Sequence, residues 1–243
     1  MIEYPVLKLG SRGSAVARLQ QELNRKIPHG RRLDPDGDFG RRTRSAVIDF
    51  QNEYWLEEDG IAGAVTQDAL YETEGTRPVL HDVTYLAQPT ATTCWAASAA
   101  MILNRTVAQI RSATPAALLT ADGSLRNDSE DSSPGGTHDR FARIHGLRHE
   151  RPQSWPTNAL HRMLSYGPVM MEVLWDWDTY RRGLGSNGHY VVVAGVRGSL
   201  ALGGKRLTLR IYDPLPPHIY SVTYANVLRR VPLATYGFFS RLI

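Results

Sequence analysis

The sequence predicts an α+β chain: a small three-helix bundle, then a larger domain in which a cysteine-bearing helix packs on an antiparallel sheet. Three observations carry this. A DGxxGxxT pattern occurs twice, at Asp36 to Thr43 and Asp59 to Thr66, each time running into an apolar helical start at Ala46-Val47 or Ala69-Leu70. The only cysteine, Cys94, opens a run of strong helix formers, WAASAAMIL. Beyond it, GHYVVVAGV and RLTLRIYDP have the β-branched content and the alternation of buried strands.

The 243 residues suffice for one large or two ordinary domains, and 42% apolar with 21% charged residues is enough to build a core. Net charge is +4, but acidic and basic residues are interspersed, so no basic face marks a nucleic-acid binder. A single cysteine excludes an internal disulfide framework and any multi-Cys zinc site. No apolar run reaches the length of about 18 residues needed to span a bilayer, and MIEYPVLKLG lacks the basic and apolar regions of a secretion signal. The expectation is therefore a mature chain, export without such a signal, or work inside the cell.

In the first half, Val16, Leu19, Gln20 and Leu23 recur at helical spacing, as do Ala46, Val47, Phe50 and Tyr54. Each Asp-Gly pair of the repeat makes a tight turn, and Thr43 or Thr66 sits near the first turn of the following helix. LKLGSRGSAVARLQQEL, DGDFGRRTRSAVIDFQ and DGIAGAVTQDAL together resemble the three-helix peptidoglycan-binding domain found beside many cell-wall hydrolases. The resemblance implies peptidoglycan as a partner; the Gly, Thr and apolar positions themselves read as bundle architecture. Residues 72–82, with Gly, Pro and charges but no apolar periodicity, end this domain. The expected division is 1–75, a linker at 76–82, and 83–243.

In the second domain Thr92 or Thr93 is the expected N-cap, which puts Cys94 in the first turn of a helix. Unpaired N–H groups and the positive end of the helix dipole there favour a thiolate. The same Ala-rich helix would also house an inert cysteine, so partners decide. Acyl transfer by a thiolate needs an imidazole, and the imidazole needs an orienting acceptor. His189 enters the apolar GHYVVVAGV run, and Asp213 closes RLTLRIYDP after a Gly203-Gly204 turn, so two adjoining strands can bring them side by side. Taken singly, each also fits a structural role. Gln88, six residues before Cys94, could donate its carboxamide N–H, with the Cys94 backbone N–H, to the oxyanion of a tetrahedral intermediate.

Carrying Gln88, Cys94, His189 and Asp213 in this order, the second half resembles the papain-like cysteine peptidases, most closely their compact bacterial branch, which includes the peptidase domains of bacteriocin exporters. The resemblance implies Gln88 as oxyanion donor, Cys94 as nucleophile, His189 as general base and acid, and Asp213 as the residue orienting His189. Residues 105–165 match only loosely, and the orienter is Asp where papain has Asn.

Several other residues invite a role. His145 and His149 are four apart, but Gly146 ends the helix between them, against a metal pair. His138 and His161 read as solvated helix residues, Trp175 and Trp177 as packing near the cleft. LLTADGSLRNDSEDSSPGGT reads as a mobile loop, a lid over the cleft. The whole describes a wall-targeted cysteine hydrolase, secreted or periplasmic, needing no cofactor and no metal, acting on peptidoglycan stem peptides or on proteins. A role as an antibacterial effector would bring a cognate inhibitor or immunity protein as partner. Two alternatives stay open: a deamidase or transglutaminase-type acyl transferase, and a non-catalytic peptidoglycan-binding protein.

Overall fold

The computed structural model describes the chain apart from residues 1–3, 31, 72–75, 127–134, 154, 175–187, 201–205, 216–217, 231–235 and 242–243. Two compact units emerge: Met1–Pro78 with Arg197–Leu209 and Ser221–Ala225, and Val79–Val196 with Arg210–Tyr220 and Asn226–Ile243. Among the described residues no helix is long and apolar enough to cross a membrane.

The first unit holds α1 (Ser14–Lys26), α2 (Arg41–Glu53) and α3 (Ala64–Tyr71). Val16, Leu19 and Leu23 on one face of α1 meet Val47 and Phe50 of α2 and Leu70 of α3 around Phe39. Each such side chain contributes about 1.5–3 kcal/mol by leaving water. The repeat has a physical core that its pattern alone does not display. The two N–H groups of the Gln20 amide are shared among Asp36 Oδ1 (2.9 Å), the Asp38 carbonyl (3.0 Å) and Thr43 Oγ1 (3.0 Å), and its oxygen accepts from the Gly37 N–H (3.0 Å). Gln51 repeats this with Asp59 (2.8 Å), the Ile61 carbonyl (3.1 Å), Thr66 (3.1 Å) and the Gly60 N–H (2.8 Å). A buried glutamine thus ties each Asp-Gly turn to the helix that follows, and the repeat threonines serve this tie; the residues preceding α2 and α3 are glycines, Gly40 and Gly63. Within the same unit Arg206 Nη1 contacts both Asp68 carboxylate oxygens (3.0 and 3.3 Å), each side chain being 8% exposed. Arg197 donates to the Tyr54 carbonyl and lies 5.2 Å from the Trp55 ring centroid.

In the second unit α4 (Cys94–Leu103) buries every residue except Leu103, as a helix almost without polar residues on any side requires. Around it come α5 (Val107–Ala113), opened by a Thr106/Gln109 capping box, then α6 (Gly136–His145) and α7 (Thr157–Tyr166). The strands are β1 (Thr76–Leu80), β2 (Leu147–Gln153), β3 (Val169–Leu174), β4 (Gly188–Ser199), β5 (Arg206–Asp213), β6 (His218–Thr223) and β7 (Tyr236–Arg241), with α8 (Tyr224–Arg230) between the last two. They form one sheet in the order β2-β7-β3-β4-β5-β6, with β1 also pairing with β4. The β2–β7, β7–β3 and β3–β4 pairs are antiparallel, and the β3–β4 register sets Val173 opposite His189.

One expectation changes here. The stretch expected as linker, 76–82, contains β1, and the His81 N–H continues its pairing to the Ala194 carbonyl (2.9 Å). β4 is twice the length of β3, so it has free edge for another strand beyond the β3 partners, and unpaired backbone there would be costly. The expected Gly203-Gly204 turn lies outside the described residues. Gly198 must be glycine: at φ 104°, a Cβ on it would stand 2.0 Å from the Arg206 carbonyl oxygen.

Candidate active site

The pairing of β4 beside β5, with Gly198 against Arg206 at one end, carries His189 and Asp213 to the other end of both strands. There His189 Nε2 meets Asp213 Oδ1 at 2.7 Å, with both side chains largely buried. A carboxylate can only accept, so Nε2 carries the proton and the other ring nitrogen is left for Cys94, which lies within hydrogen-bonding reach of the ring. The Leu215 N–H also donates to Asp213 Oδ1 (2.9 Å), which fixes the carboxylate through the turn at Pro214-Leu215. Cys94 is the first residue of α4 and 7% exposed.

Burial by itself pushes the imidazole toward the neutral form, but hydrogen bonds to Asp213 and Cys94 and the charges of both outweigh it, raising the His189 pKa to about 9. His189 is therefore a cation across neutral pH, and a cation beside the sulfur is what a thiolate requires.

Gln88 is nine-tenths buried and doubly tied. Its backbone N–H donates to the Pro214 carbonyl (2.8 Å), joining the loop before α4 to the turn that holds Asp213. Its side-chain Nε2 donates to the Thr90 carbonyl (2.8 Å). An amide NH₂ has two donors, so this bond fixes the group and leaves a second N–H. The structure thus brings Cys94, His189 and Asp213 into one line of contacts, with Gln88 tied to the same turn.

Thr93 occupies the N-cap position, as expected of Thr92 or Thr93, but its hydroxyl does not cap α4. It turns back to Thr90, accepting from the Thr90 N–H (3.0 Å) and donating to the Thr90 carbonyl (3.0 Å). The competing local turn wins that hydroxyl, and the first-turn N–H groups of α4 take no side-chain cap.

The loop expected to be a mobile lid differs in its first part. Thr120, Asp122 and Ser124 hydrogen-bond one another, and the turn is fastened beside Cys94 by Thr92 Oγ1 to the Asp122 carbonyl (2.9 Å) and Trp95 Nε1 to the Gly123 carbonyl (3.1 Å). Hydroxyl and carboxylate side chains that composition alone reads as solvated satisfy the turn itself. Residues 127–134, like Trp175 and Trp177, lie outside the described residues.

His138 is not solvated: it is 3% exposed, and its Nε2 hydrogen-bonds the Tyr190 hydroxyl (2.8 Å). It shares the inner face of α6 with Phe141, Ala142 and His145, a helical spacing that was legible. His161 is half-buried. Gly146, at φ 69°, ends α6, and His145 and His149 take separate partners, Thr114 (2.8 Å) and Asp139 (2.6 Å).

Residues 12–70 match the peptidoglycan binding domain family, and residues 79–229 match the family described as papain-like cysteine protease AvrRpt2. The zinc D-Ala-D-Ala carboxypeptidase of Streptomyces albus G is 41% identical over 68 residues, 28% of this chain, and the match spans 27% of that relative's own length. Among solved structures, a C39-like peptidase from Bacillus anthracis is 13% identical, covering 69% of this chain and 99% of its own, at TM-score 0.42. A double glycine motif protease from an AMS/PCAT transporter, in complex with its leader peptide, is 19% identical over 69% of this chain and 99% of its own, at TM-score 0.39. Likeness this loose has no bearing on activity. Through the match to residues 79–229, which is more than half of its length, the chain belongs to the papain-like cysteine protease family.

Proposed function

We propose that this chain is a wall-targeted cysteine hydrolase in which Cys94 attacks the carbonyl carbon of a peptide-type amide bond. The observation that supports this is His189 Nε2 at 2.7 Å from Asp213 Oδ1, with Cys94 within reach of the same ring. The thiolate adds to the carbonyl, and the oxyanion is held by the Cys94 backbone N–H and the second N–H of Gln88. Collapse breaks the C–N bond as His189 gives its proton to the departing amine, leaving an acyl thioester on Cys94. Neutral His189 then takes a proton from water, whose oxygen attacks the thioester and releases the acid and the thiolate. Asp213 keeps the ring turned throughout and favours its charged form whenever it holds the second proton.

The match of residues 12–70 to a peptidoglycan binding domain supports a cell-wall location, where tethering raises the effective concentration of wall peptides. Peptidoglycan stem peptides and cross-links are the substrates this arrangement favours over soluble proteins. An effector acting on a rival's wall would be matched by an inhibitor in the producing cell.

Digesting purified sacculi and denatured protein in parallel, with mass spectrometry of the products, tests the reading. New amino termini should appear in the stem peptides with the wild-type chain and be absent with Cys94→Ala. Cleavage of protein alone would reverse the substrate reading, and cleavage by Cys94→Ala would end the nucleophile assignment.

A further inference from the structure

Ser98 stands one turn beyond Cys94 on the same face of α4 and is fully buried. A buried helix serine ordinarily bonds back to the carbonyl four residues before it, here that of Cys94. Ser98 does otherwise: its hydroxyl donates across to the backbone carbonyl of Tyr190 at 2.9 Å, and Tyr190 directly follows His189. Tyr190 is held from its other end as well, its phenol bonded to His138 Nε2 at 2.8 Å.

The neighbours of Ser98 on α4 are Ala96, Ala97, Ala99 and Ala100, all buried. Methyl groups pack through short-ranged and non-directional contacts, so an alanine surface resists sliding along a strand only weakly. A directional hydrogen bond between helix and strand removes that freedom. We propose that Ser98 is a positioning residue: its bond to the Tyr190 carbonyl sets the register of the Cys94 helix against the His189 strand, and with it the separation of sulfur and imidazole. This rests on the reading that Cys94 and His189 are the reacting pair.

A displacement of about 1 Å in a catalytic pair costs about 10²-fold in rate. In the full chain, Ser98→Ala should lower kcat about 10- to 100-fold with KM changed less than about twofold. Alkylation of Cys94 by iodoacetamide at pH 6, which needs no substrate, should slow by a similar factor, because the sulfur is no longer held against the imidazolium. Ser98→Thr and Ser98→Val have the same branched shape and differ in the hydroxyl, so most of any overpacking is common to both; Thr should keep most of the rate and Val should not. That comparison decides the matter if Ser98→Ala does not fold.

A Ser98→Ala enzyme with wild-type kcat and alkylation overturns the proposal, as does one whose melting temperature falls while both rates hold. Equal rates in the Thr and Val variants overturn it too. His189→Ala separates this failure from that of the underlying reading. If His189→Ala slows alkylation and Ser98→Ala does not, only the Ser98 role is lost. If neither slows it, the reacting-pair reading goes with it.

Discussion

Replacing Asp213 by Asn keeps an oxygen that can accept from His189 Nε2 and removes the carboxylate charge. The hydrogen bond and charge of Asp213 are two of the contributions that lift His189 to about 9 against its burial. Opposite charges about 4 Å apart at an effective dielectric near 20 attract by about 4 kcal/mol, which caps the change at about three pH units. With the hydrogen bond and the Cys94 contribution retained, the imidazole should titrate about one to two pH units lower. The alkaline limb of kcat/KM on a small peptide substrate, near pH 9 in the wild type, should move down by that amount. Stability should follow. Since the folded value lies above the unfolded value of 6.5, His189 contributes fully below pH 6.5 and loses its contribution as pH rises through about 9. The contribution is about 3 kcal/mol. Urea unfolding at pH 6 and pH 10 should register that loss in the wild type, and about half of it or less in Asp213→Asn. An alkaline limb that stays in place in Asp213→Asn would refute the claim that Asp213 keeps His189 charged.

Gln88→Ala should lower kcat about 10²- to 10³-fold with KM and melting temperature nearly unchanged, because its backbone tie to Pro214 survives and the side chain acts on the transition state. An unchanged kcat would remove Gln88 from the site. Asp68→Ala leaves the Arg206 guanidinium buried without that carboxylate and should cost about 3–5 kcal/mol in denaturant unfolding. A loss under about 1 kcal/mol would mean that solvent reaches the pair.

Much of the helical unit was legible in the sequence because it is built from local, repeated chemistry: an Asp-Gly turn, a threonine and an apolar helical face. The glutamines that bind each turn were not, since Gln20 and Gln51 stand 16 and 8 residues before their aspartates and no fixed spacing marks them. The thiol at a helix start, the histidine entering a buried strand and the aspartate closing the next one were readable as residue types in order. Their adjacency was an expectation from two adjoining strands, and it rests on β4 and β5 being neighbours in the sheet with Gly198 passing close to Arg206.

Composition misled where a polar residue's partner is remote in sequence. His138 looked solvated until Tyr190, 52 residues on, supplied a buried hydroxyl. The DGS turn looked mobile until Thr92 and Trp95 reached it from 30 and 28 residues away. The sequence by itself determined which groups could do chemistry and the local elements that carry them, because propensity, turn chemistry and periodicity act over a few residues. Only the tertiary structure decided which groups meet and how they are charged. Burial, hydrogen bonding and Coulomb attraction depend on distances across the fold, and at His189 their sum reverses the effect that burial has alone.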